Sequence, residues 1–107
     1  MFRAVAVGER HLILGFKGAG FEIAGCVDGK GLHSELGRLS READVALVLV
    51  TESMAAEAPD AIEQFRDRSQ AILTIIPTHE GATHYSYELM RKAVERSIGV
   101  DILGKDA

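Results

Sequence analysis

His79-Glu80-Gly-Ala-Thr-His84 sets two imidazoles around a carboxylate, the donor types from which zinc sites are built. A helical zinc-hydrolase motif needs its histidines at i and i+4, so that both reach one face; these stand at i and i+5 around a glycine, in an expected polar loop, and read as exposed loop histidines. Cys26 could pair with His11 or His33 as an activated nucleophile, but no third residue is marked out to orient the pair. Its setting between Ala24 and Val27 predicts a buried, reduced thiol. Gly18-Ala19-Gly20 begins like a dinucleotide loop, yet position 23 is Ile23 and the segment follows an expected helix rather than a strand. Gly8-Glu9-Arg10 has neither the close glycines nor the lysine and hydroxyl pair of a loop that wraps phosphates. Acyl-phosphate chemistry would need an acidic cluster after the first strand and an aspartate ending the third. The chain offers Gly8-Glu9 and Thr51-Glu52, with no lysine closing the fourth strand. No residue is assigned a catalytic, cofactor-binding or metal-binding role.

Those residues sit among short apolar runs that alternate with helical patterns, which predicts a parallel sheet built from crossover units. The expected strands are Arg3 to Val7, Glu22 to Val27, Val45 to Val50 and Ala71 to Ile76; the third, apolar throughout, reads as the buried centre. A short helix is expected from Leu12 to Ala19, weakened by Gly15 and Gly18 and stopped by Gly20. Leu32, Leu36 and Leu39, at i, i+4 and i+7, give the second helix a face toward the sheet. A third helix is expected to start near Ser53, capped by Thr51 or Ser53 and irregular around Pro59, because proline lacks the amide donor and clashes one turn back. Right-handed crossovers then give an α/β fold, a single small doubly wound sandwich. It has four parallel strands in the order 2-1-3-4, helices on both faces, and a C-terminal helix plus tail. Residues 1–107 are expected to form one domain, with 84–107 the terminal helix and apolar tail.

Composition narrows the function. A formal net charge of −4, without clustered Lys and Arg, argues against nucleic acid, since phosphate contacts need such clusters. The Met1 to Val7 apolar run is too short and too soon followed by charges for a secretion signal, and no run approaches the roughly 20 apolar residues of a membrane span. Any link to a membrane is therefore expected to go through another subunit, with no direct insertion. The expected last helix, about Ser86 to Ile98, gathers Leu89, Met90, Ala93, Val94 and Ile98 on one side. Glu88, Arg91, Lys92, Glu95 and Arg96 lie on the other. Glu88 with Lys92 and Arg91 with Glu95 would add only about 0.2–0.5 kcal/mol per pair. Gly99 is placed to stop the helix and turn Val100, Ile102 and Leu103 away from its axis. An apolar end of this kind needs a surface to cover it, the chain's own or a partner's.

Three segments carry a resemblance: Val5-Ala-Val-Gly8 followed by Leu14-Gly-Phe-Lys-Gly-Ala-Gly20; Val45 to Val50 with Thr51-Glu52; and Arg91-Lys-Ala-Val-Glu-Arg-Ser-Ile-Gly-Val-Asp-Ile-Leu103. Together they make the chain resemble the F subunit of the archaeal/vacuolar-type rotary ATPases over essentially its whole length. The first and third are the specific ones; the second is common to parallel sheets. The resemblance implies a non-catalytic central-stalk subunit without a cofactor, cytoplasmic and peripheral to the membrane through the ATPase complex. Such a subunit binds the coiled-coil shaft subunit and helps couple ATP hydrolysis or synthesis to ion transport, alongside other stalk subunits and the catalytic hexamer. It also implies a mobile, regulatory C-terminal helix and an interface made of Phe16, Lys17, Arg91, Arg96, Ile98, Val100, Ile102 and Leu103. Gly18 departs from the family, which commonly has a larger apolar residue there. The competing expectation is a stand-alone module like the phospho-receivers, which share the strand pattern, for signalling or small-ligand binding; a homo-oligomer paired through the tail is a third.

Overall fold

Between Arg3 and Gly8 the chain reads Ala-Val-Ala-Val, with no polar side chain to face water, and in the computed structural model, which describes residues 2–78, it forms the buried strand β1 (Arg3–Gly8). The other strands are β2 (Glu22–Gly25), β3 (Val45–Thr51) and β4 (Ile72–Ile76). All pairings are parallel and the order is β2-β1-β3-β4, as expected. Register sorts side chains by face. Val5 lies opposite Val48 and Val7 opposite Val50, whereas Ala4 faces Leu47 and Ala6 faces Leu49. The valines belong to one core and the alanine and leucine pairs to the other, so each central strand is buried on both sides. The register shifts between Arg3 and Ala4, paired with Val45 and Leu47, leaving Ala46 as an extra residue. That bulge restores Val45 to the same core as Val48 and Val50.

The valine side is covered by α2 (Gly29–Leu39), α3 (Glu52–Glu57) and α4 (Pro59–Arg68), which contribute Leu32, Leu36, Leu39, Met54, Ile62 and Phe65. Burying each large apolar side chain contributes about 1.5–3 kcal/mol before ordering costs. Asp28 caps α2, its Oδ1 accepting from Gly31 N at 2.8 Å, and Glu57 Oε1 accepts from Gly29 N at 3.1 Å. The single helix expected from Ser53 is two helices. Ala58, at φ −149° and ψ 69°, leaves the helical region, and Pro59 restarts the chain as the first residue of α4, where its missing amide costs nothing.

The other face carries α1 (Arg10–Ile13), which runs into a 3-10 segment, Leu14–Ala19. A helix was expected here from Leu12. It begins two residues earlier and tightens where Gly15 and Gly18 weaken the α form; Gly20, at φ 97°, ends it. The second strand stops at Gly25, two residues short of expectation. Cys26 N still donates to Gly8 O at 2.9 Å, but Val27 has left the sheet and is 89% exposed. The fourth strand begins at Ile72, one residue late. The expected C-terminal helix and tail lie outside the described residues.

At the amino ends of the strands, Arg3 gathers three carboxylates. Its Nε and Nη2 donate to Glu22 at 2.8 Å each, and Nη1 donates to Glu42 at 2.6 Å and Asp44 at 3.0 Å. Glu42 also accepts from Arg38, which in turn donates to Glu35 at 2.7 Å. One guanidinium thus ties β1 to β2 and to the turn before β3. Its hydrogen bonds hold the Glu22 carboxyl below its usual 4.5, against the opposing effect of burial. A carboxyl with a depressed folded value stabilises the fold above about 4.5, and that contribution disappears as pH falls through the depressed value. Arg3→Gln is therefore expected to cost about 1 kcal/mol near neutral pH, a modest figure because solvent screens the network. Urea denaturation should show the difference from the parent shrinking as pH falls through the depressed Glu22 value, below 4.5.

Candidate functional site

In a doubly wound sheet, ligands bind outside the carboxyl ends of the strands where the order reverses, here between β1 and β3. Gly8 closes β1 at this point with φ 153°, and a β-carbon on it would fall 2.5 Å from Thr51 Oγ1 and 2.6 Å from its Cγ2. Glu9 follows at the mouth. Thr51 Oγ1 donates to Glu9 Oε1 at 2.6 Å, and Ser53 Oγ donates to Glu9 Oε2 at 2.6 Å. Thr51 is fully buried and also caps α3, accepting from Met54 N at 3.4 Å. Thr78 Oγ1 reaches Ser53 Oγ at 3.4 Å, extending the network to the exit of β4. Burial works to raise the Glu9 carboxyl, but the two hydroxyl donors outweigh it and hold it below 4.5.

Both oxygens of the carboxylate at the crossover are occupied by the protein's own hydroxyls, which suits a clamp rather than a phosphate acceptor. Glu52, the other acidic residue at these ends, is exposed in the first turn of α3. Sequence reasoning saw Gly8-Glu9 and Thr51-Glu52 as incomplete phosphotransfer positions and missed that they bind each other. The signal was the strand order itself, which sets residues 8–9 beside 51–53.

The remaining candidates for chemistry separate in space. Cys26 is buried, and burial, reinforced by the charges of Glu9, Glu35, Asp28 and Glu57, pushes its thiol up to about 11, so it is a poor nucleophile at neutral pH. His33 Nε2 lies 3.1 Å from Asp60 Oδ2, joining α2 to α4 instead of serving Cys26. A cavity of about 50 Å³ between those helices, lined by His33, Gly37, Gln64 and Arg68 among others, is far below the roughly 300–1,000 Å³ of small-molecule pockets. Among the described residues no three metal-ligating side chains come together, and no helix is long and apolar enough to cross a membrane.

Of the expected interface residues, two are described, and they point in opposite directions. Phe16 is only 1% exposed and meets Phe21 edge to face, with ring centroids 5.3 Å apart. In the tight 3-10 turn, residues three apart align, so Phe16 shares an inward ridge with Ile13. Lys17 is exposed, and so is Leu14, which the sequence did not single out. Arg91, Arg96, Ile98, Val100, Ile102 and Leu103 lie outside the described residues.

The family model described as ATP synthase (F/14-kDa) subunit matches residues 4–94. A V-type ATP synthase F subunit of Fusobacterium nucleatum is 23% identical over 103 residues, covering 96% of this chain and 97% of that protein. One from Clostridium botulinum is 27% identical over 104 residues, 96% of this chain and all of its own length. One from Clostridium perfringens is 24% identical over 104 residues, 96% and 98% respectively.

Removing the clamp should leave a buried hydroxyl with no carboxylate to receive its proton. Glu9→Ala is expected to lower stability at neutral pH by about 1–3 kcal/mol, the cost of stranding the Thr51 donor. Because the Glu9 carboxyl is depressed in the fold, the contribution of its charge is present above about 4.5 and fades in acid, so the gap between parent and variant should narrow there while the cost of the stranded hydroxyl persists.

Proposed function

The chain belongs to the family of the ATP synthase (F/14-kDa) subunit, and from that premise we propose that it is a central-stalk subunit that binds the coiled-coil shaft and helps couple ATP turnover to ion transport. The family is an accessory, non-catalytic component of the V-type ATP synthase. The observation that supports an adaptor over a ligand-binding module is the Glu9 clamp. At the crossover where this fold usually receives a small molecule, the carboxylate of Glu9 is engaged by hydroxyls of the chain itself. What remains for function is the outside of the domain, and a small rigid sheet domain against a helical shaft is a workable torque adaptor.

In this proposal Lys17 contributes from the 3-10 segment, and Arg91, Arg96, Ile98, Val100, Ile102 and Leu103 form the larger part of the contact, with the charges setting register and the apolar side chains supplying affinity. Other stalk subunits and the catalytic hexamer are neighbours in the assembly, and the chain is held at the cytoplasmic side of the membrane through the complex. The C-terminal segment, expected from its sequence to be helical, is the regulatory element in this proposal.

Titrating the isolated shaft subunit with this chain by calorimetry tests the proposal. Ile98→Asp and Ile102→Asp are each expected to weaken binding, by about 1.5–3 kcal/mol where the side chain is fully buried in the complex. Unaltered affinity in both variants removes the tail from the interface, and failure of the parent chain to bind removes the function.

A further inference from the structure

The charge of this chain is unevenly spread. From Arg10 to Phe21 it carries Arg10, His11 and Lys17 and not one Asp or Glu, although its formal net charge is −4. Leu14 and Lys17, three apart, align on the outer side of the 3-10 segment, away from the inward ridge of Ile13 and Phe16, and Arg10, four residues before Leu14, is exposed beside them with the root of its side chain over Gly25 of β2. Both cations are exposed, and Leu14, 44% exposed, stands between them.

Nothing among the described residues neutralises this face. Arg3 and Arg38 are each satisfied by carboxylates, whereas Arg10 and Lys17 have no ion pair or side-chain hydrogen bond there. The two nearest carboxylates in sequence are committed elsewhere, Glu9 to Thr51 and Ser53, and Glu22 to Arg3. A β-carbon on Gly18, next to Lys17, would have no atom of the described residues within 4 Å, so there is open space beside the face.

Building on the reading that the chain binds the shaft, we propose that the face made by Arg10, Leu14 and Lys17 docks on an acidic stretch of one shaft helix. The partner chemistry follows from the face: carboxylates spaced to meet Lys17 and Arg10, and an apolar position between them to cover Leu14. Charges at such a rim govern registration and encounter, so their contribution fades with salt, whereas that of Leu14 does not.

Calorimetric titration of the isolated shaft subunit with the full chain, at low and at high salt, is the test. At low salt Lys17→Glu and Arg10→Glu are each expected to weaken binding roughly tenfold, with the deficit shrinking at high salt. Leu14→Ser is expected to weaken it at both. Arg41→Glu makes the same charge change on an exposed residue between α2 and β3 and is expected to bind like the parent. Thermal midpoints matching the parent establish that these surface variants fold. If the parent binds and the three face variants bind equally well, or Arg41→Glu is as harmful as Lys17→Glu, the docking face is overturned while the shaft-binding reading stands. If the parent does not bind the shaft, both are overturned.

Discussion

A β-carbon on Gly8 would lie 2.5 Å from Thr51 Oγ1, so β1 and β3 can end side by side only because position 8 carries none. That approach brings the Glu9 carboxylate within reach of the hydroxyls of Thr51 and Ser53. The same few atoms then set the start of two helices. Glu9 O receives the first amides of α1, from Leu12 and Ile13, and Thr51 caps α3. The carboxyl edge of the sheet is thereby organised around one contact, at the place where ligands bind in many sheets of this kind. A protein built this way has its polar interior spent on holding itself together and its exterior left for partners.

The two layers over the sheet differ in character. The valine side is packed by three helices whose leucines, Met54 and Phe65 make the larger core among the described residues. The other side, from Ile13 to Phe21, rests on two aromatic rings and a tight turn, with Gly20 closing it in a left-handed conformation. Within this described segment, burying Phe16 turns Lys17 and Leu14 outward. At the opposite end of the strands, Arg3 and its carboxylates fasten β1, β2 and the approach to β3, so both ends of the central strands are held by side chains and not by backbone pairing alone.

The sheet was legible in the sequence because burial on both faces leaves an apolar run that solvent-facing segments do not imitate; Val45 to Val50 is the plainest case. The leucines of α2 were legible through their helical spacing. What escaped were features that depend on distant residues meeting. Glu9 and Ser53 are 44 positions apart, and nothing local to either announces the bond. The break at Ala58 was half visible, since Pro59 marks a helix start as readily as a kink. The inward turn of Phe16 was not legible, because a family segment, taken whole, does not say which of its side chains point inward. The 3-10 geometry decides that, and two glycines decided the geometry.

In the proposed role the domain does no chemistry and works by being held against a rotating helical partner. Electron cryomicroscopy of the intact rotary complex purified with this chain examines that most directly. The sheet domain should appear on the central axis, seated against the shaft, with the crossover at Glu9 free of any bound small molecule. A domain found at the periphery with the shaft bare, or a ligand lodged between the ends of β1 and β3, would contradict that role.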